Sequence, residues 1–211
     1  MAEQVLAAVR TGPGTTELRE YPMPDVPDDG ALMKVEVAGI CGTDVKMYAK
    51  PVVAGPVIMG HENVGVIAKA GRAFTERQGL VEGDRVFLEH YVPCRRCEWC
   101  HAGEYRHCLA TDWRLNQDAR RYGYTSAEHP YHLWGGFAGY LYLPWNAVLH
   151  KVPDGLSAEL AGIVTRCRTA SSGPCSTAAS ATTPLCSSRA PGSRAWPRRW
   201  RASRPAPRWS S

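Results

Sequence analysis

The sequence predicts a mainly β protein, a barrel or sandwich from which a cysteine-rich lobe projects. From Val5 to about Lys151, short apolar runs are punctuated by Gly and Pro, with few stretches of helical character. Between Tyr91 and Trp134 that strand pattern stops, and a dense run of cysteines followed by a polar loop stands in its place. Beyond Thr165 the composition changes abruptly.

The candidate strands are Ala31–Ala38, Val64–Ala70, Asp84–Glu89, Gly136–Leu143 and Ala147–Val152. Each is rich in Val, Ile, Leu, Tyr or Phe and is bounded by turn residues. The turn Pro153-Asp154-Gly155-Leu156-Ser157 leads into Ala158-Glu159-Leu160-Ala161, where Ser157 is placed to cap the start of a helix.

A chain of 211 residues accommodates one substantial domain or two, at roughly 100–200 residues each. Its formal charge of +5 conceals two compositions: residues 1–165 carry 16 bases against 20 acids, a net −4, whereas residues 166–211 carry nine Arg, no Lys and no acid, a net +9. No apolar run approaches the roughly 18–20 residues that span a bilayer, and Met1-Ala2-Glu3-Gln4-Val5-Leu6 lacks the basic start and apolar stretch of a signal peptide. A cytoplasmic location is therefore expected, with no membrane partner. Thiols there stay reduced, so clustered cysteines bind metal in preference to forming disulfides.

Cys94, Cys97, Cys100 and Cys108 are spaced C-x₂-C-x₂-C-x₇-C, a pattern that offers four thiolates to one tetrahedral zinc. Four sulfur ligands leave no position for water or substrate, so this site is structural. The chemistry is sought upstream, in Gly39-Ile40-Cys41-Gly42-Thr43-Asp44 and Gly60-His61-Glu62-Asn63-Val64-Gly65. A thiolate and an imidazole supply two zinc ligands and leave positions open, as a catalytic zinc requires. Taken singly, a Cys after a strand reads as a small buried hydrophobe and a His as a satisfied polar residue.

Together with Asp84-Arg85-Val86 and the cysteine lobe, in this order, these motifs resemble the zinc-dependent medium-chain dehydrogenase/reductase family, which includes alcohol, sorbitol and threonine dehydrogenases. The resemblance covers about residues 5–165. It implies a GroES-like β-barrel catalytic domain over residues 1–165, with the structural-zinc lobe at about 91–110. It further implies two zinc ions per chain, NAD or NADP, a small alcohol or polyol substrate, and a homo-oligomer for the intact enzyme. Carried over, Cys41 and His61 are catalytic zinc ligands, Glu62 binds that metal directly or through water, and Asp44 orients the imidazole. Thr43 holds the hydroxyl that bonds the substrate and passes on its proton. Two departures stand out: Lys46 replaces a histidine that often ends the proton relay, and Thr165 lies at or near the position of the third protein ligand. Of another class is a non-catalytic zinc-binding β-barrel, acting as a structural or interaction module.

The tail completes neither reading. Of residues 166–211, 33 are Arg, Ala, Ser or Pro, and no G-x-G-x-x-G follows a strand. Such a segment is expected to be disordered. Its bias is that of GC-rich coding DNA translated out of frame, and a one-base shift after the Thr165 codon, with synonymous codons chosen freely, restores a strand-like TVLI, then GPGQPG at the positions of Ala190–Ala195, a helix-like stretch and LVI. The Rossmann domain is thus read as out of frame. Cys167, Cys175 and Cys186 become frame artefacts, and the nine Arg and three Trp of the tail carry no case for a nucleic-acid partner.

Overall fold

The computed structural model describes residues 3–112, 114–116 and 118–163. The segment 166–211 and Thr165, to which the readings of a frameshifted tail and a third metal position apply, lie outside the described residues. All strand pairings in two sheets are antiparallel. One sheet has the order β2-β1-β4, from β1 (Gln4–Gly12), β2 (Thr15–Pro22) and β4 (Val57–Ile58). The other is β7-β3-β5-β6-β8, from β3 (Ala31–Gly39), β5 (Glu62–Ala70), β6 (Arg85–Leu88), β7 (Tyr140–Leu143) and β8 (Leu149–Lys151). Helices are short: α1 (Gly42–Ala49), α2 (Arg72–Gln78), α3 (Glu98–His101) and α4 (Ala158–Gly162). Among the described residues, no helix is long and apolar enough to cross a membrane.

The predicted strands at 31–38, 64–70 and 84–89 form close to their expected bounds. The stretch predicted as Gly136–Leu143 begins its regular ladder only at Tyr140. Its first residues instead join the two sheets: Ala8 N donates to Phe137 O and Gly139 N to Leu6 O, while Val35 N donates to Gly139 O. Two partners with different directions cannot be satisfied by a flat ladder, so this segment twists between them. Ala147–Val152 is likewise shorter than expected, with Leu149–Lys151 paired to β6.

Three strands, β1, β2 and the two-residue β4, are absent from the candidates above. In β1, Val5, Ala7 and Val9 point inward at period two, but the small Ala residues weaken the pattern. β2 is exposed along nearly its whole length and carries Glu17, Arg19 and Glu20. It is an edge strand held by backbone pairing to β1, and its charges discourage further pairing. The main core is packed from Val9, Met33, Ile58, Phe74, Leu88, Trp134 and their neighbours, all fully or nearly fully buried. Trp134 and Tyr131 belong to that packing: Trp134 is buried, and Tyr131 stacks on Tyr142 at 3.9 Å. Ser157 caps α4 as expected, its hydroxyl accepting from Leu160 N.

Candidate metal centre

The register of the larger sheet places the site. Gly39 pairs with Glu62 and Ala38 with Asn63, so the chain leaving β3 and the chain entering β5 run side by side. Cys41 and His61, twenty positions apart in sequence, thereby meet with Sγ and Nε2 3.0 Å apart. Gly60, at φ 88°, makes the turn into this position, and its missing Cβ leaves room for the Phe137 ring.

Cys41 also caps α1. Thr43 N donates to its Sγ at 3.2 Å, and Asp44 Oδ2 accepts from Cys41 N at 2.9 Å, a reciprocal capping box. The other carboxylate oxygen of Asp44 faces His61 Nδ1 at 3.3 Å, in a pair that is almost wholly buried. Burial alone raises the Asp44 carboxyl, but the His61 imidazole and the Cys41 amide outweigh it and hold the group below its usual range. The imidazole is thus fixed with Nε2 turned toward Cys41.

Glu62 is buried beside His61, and the Cys41, His61 and Glu62 donor atoms all lie within 4.8 Å of one another. A tetrahedral ion bound at about 2.0–2.3 Å separates its ligand atoms by about 3.3–3.8 Å, so this soft and hard donor set fits zinc with little movement. Glu62 depends on Gly39: a Cβ there would lie 2.6 Å from Glu62 Oε2. Gly39→Ala is expected to push Glu62 out of the triad and weaken metal binding several-fold while costing about 1–3 kcal/mol of stability. Metal titration of the folded variant checks this; unchanged affinity would show that Glu62 takes no part.

The second cluster lies in the lobe. Cys94, Cys97, Cys100 and Cys108 also have all four Sγ within 4.8 Å, with Cys97 to Cys100 at 3.5 Å and Cys94 to Cys100 at 4.0 Å. A tetrahedron of Zn–S bonds of about 2.3 Å has edges of about 3.8 Å, which those separations bracket. The thiols do not ionise alike. For Cys94, burial is outweighed by neighbouring backbone amides and the thiol falls to about 6, whereas burial and the adjacent thiols push Cys100 up to about 12. Four thiolates at this spacing need a cation to coexist. Arg95, at φ 60°, turns the chain between Cys94 and Cys97, and its guanidinium donates to Ala147 O. Tyr105 OH to Glu89 Oε1 (2.6 Å) and Asn146 Nδ2 to Pro93 O (2.8 Å) tie the lobe to the sheet.

Three residues near the first cluster escaped sequence reasoning. Asn63 pairs with Leu88, so continuing β6 by two residues carries His90 toward His61, their rings 5.5 Å apart. Burial, with the fields of His61 and Arg121, pushes the His90 imidazole down to about 3, so it is neutral. Tyr124 and Arg121 arrive from a distant loop held by Tyr122 N to His90 O. No spacing in the sequence announces them.

The alcohol dehydrogenase GroES-like domain model matches residues 27–154. The chain belongs to that family. This GroES-like domain chain is 38% identical over 158 residues to a probable alcohol dehydrogenase of Mycobacterium tuberculosis, covering 74% of this chain and 42% of the relative. It is 38% identical over 158 residues to a sorbitol dehydrogenase of Bombyx mori, covering 72% and 40%. A zinc-binding dehydrogenase of Sinorhizobium meliloti, solved bound to NADP, superposes with a TM-score of 0.60 at 26% identity over 76% of this chain and 42% of its own. The GroES-like chain therefore spans about two fifths of the length of the relatives it matches.

Proposed function

We propose that this chain is the catalytic domain of a zinc-dependent, NAD(P)-linked dehydrogenase that oxidises an alcohol or polyol to a carbonyl, or runs the reverse reaction. The observation that carries the reading is the meeting of Cys41, His61 and Glu62 on adjoining strand ends, with buried Asp44 behind the imidazole. Cys41, His61 and Glu62 would hold one zinc, and Cys94, Cys97, Cys100 and Cys108 a second, structural one. Bound at the first site, zinc supplies the Lewis acidity that lowers the pKa of an alcohol. Asp44 orients His61, and Asp44 and Thr43 N together keep the Cys41 end of α1 in place. The Thr43 side chain is exposed on the first turn of α1, where its hydroxyl can accept the substrate proton.

The domain over residues 1–165 would be completed by a dinucleotide-binding domain whose reading frame is lost after Thr165, and the chain as written is expected to show no turnover by itself. Sequencing the gene across that codon tests the frame; an uninterrupted frame with no dinucleotide fingerprint in an adjacent one would remove this part. A frame-repaired protein should reduce NAD or NADP with an alcohol or polyol, and His61→Ala should abolish that activity. Activity surviving in His61→Ala would instead favour a non-catalytic zinc module at these residues.

A further inference from the structure

A closed circuit of contacts joins one cation to the candidate metal centre. The Arg121 guanidinium lies 4.7 Å from the Tyr91 ring centroid and 5.5 Å from that of Tyr124. Tyr91 packs on His90 at 4.0 Å, His90 meets His61 at 5.5 Å, and His61 meets Tyr124 at 5.8 Å. One tyrosine ring therefore separates the guanidinium from the imidazole that faces Cys41. The bridge between Tyr91 and Arg121 fixes the backbone of the same loop.

Arg121 has no carboxylate partner among the described residues, and its Nε is buried without a hydrogen bond. Two other arginines of the domain engage oxygen acceptors: Arg85 grips Glu36 with two hydrogen bonds, and Arg10, whose Nε is likewise unpaired, donates through its terminal nitrogen to Val53 O and Gly55 O. Cation–π contact with two rings holds the guanidinium in one orientation at a cost already met by packing. It also leaves the terminal N–H groups without a protein acceptor among the described residues, and a planar pair of such donors is matched by a carboxylate or phosphate.

We propose that Arg121 forms an oxyanion subsite of the metal centre, so that the substrate is an alcohol carrying a phosphate or carboxylate group a few carbons from the reacting hydroxyl. The proposal rests on the dehydrogenase reading of Cys41, His61 and Glu62. Tyr91 and Tyr124 position the guanidinium, and His90 fills the space between Tyr91 and His61.

The test uses the full chain loaded with cobalt(II), whose visible absorption reports ligands at the metal. The part of the spectrum lost in His61→Ala defines the Cys41–His61 centre; if no such part exists, the dehydrogenase reading itself fails. Glycerol, glycerate, glycerol 3-phosphate and inorganic phosphate are then titrated against that signal at low salt. At least one of the two anionic alcohols should bind about tenfold or more tightly than glycerol, in keeping with a charge-assisted pair. The tighter of them identifies the anion. Arg121→Gln should erase the preference, and Arg121→Lys, which keeps the charge but not the fork, should retain part of it. Circular dichroism verifies folding, and Arg121→Lys carries the comparison if Arg121→Gln melts early. Equal binding of glycerol and both anions, a preference that survives Arg121→Gln, or inorganic phosphate binding as tightly as the anionic alcohols would each overturn the subsite.

Discussion

Cys97→Ser is expected to remove one zinc per chain and to unfold the lobe locally. Between Tyr91 and Asp112 the chain has a four-residue helix and two single turns, and Val92, Cys108 and Thr111 are among its few buried side chains. Such a segment buries too little apolar surface to offset its ordering entropy. A bound zinc, worth about 10–16 kcal/mol in isolated zinc peptides, would make up the difference. Serine is a poorer ligand, so hydrogen exchange should become fast across Cys94–Cys108 while β3 and β5 stay protected. The melting temperature should fall by about 5–10 °C, the shift for a loss of about 2–3 kcal/mol in a protein of this size. Retention of the full zinc content with unchanged exchange in the lobe would refute the structural site. His61→Ala provides the converse: the other zinc should go while lobe protection remains.

Asp44→Asn should lower metal affinity at the Cys41–His61 centre by about 10–100-fold, the usual cost of losing a carboxylate behind a ligand imidazole. The effect is separable from stability because Asn can still accept from Cys41 N, the bond that closes the capping box. Asp44→Ala removes both functions and should cost about 1 kcal/mol more, or about 2–4 °C in melting temperature. Competition with a chelator measures the first quantity and thermal denaturation the second. If both variants leave metal affinity almost unchanged while only Asp44→Ala lowers stability, Asp44 is only a cap.

The cysteine lobe was legible in the sequence because its four ligands fall within fifteen residues and local spacing alone dictates the pattern. The central strands were legible because Ala31–Gly39, Glu62–Ala70 and Arg85–Leu88 carry strong apolar runs. β2 was not, since an exposed edge strand answers to its neighbour's backbone and not to burial. Segment 136–139 was read as ordinary strand, although Phe137 and Gly139 divide their hydrogen bonds between two sheets. For the first metal cluster, resemblance supplied Cys41, Asp44, His61 and Glu62, but their isolated sequence contexts were those of unremarkable residues.

Sequence by itself determined the donor chemistry: four thiols in one short run, and a thiol, an imidazole and two carboxylates in two separate motifs. Donor type and local spacing are properties of a chain before it folds. Only the tertiary structure decided that Gly39 pairs with Glu62, which brings Cys41 within 3.0 Å of His61, and that the loop from Arg121 to Tyr124 sets the Tyr124 ring against His61. Strand register and loop docking depend on the packing of the whole sheet, so Arg121 and His90 acquire a place at the site that no motif of theirs records.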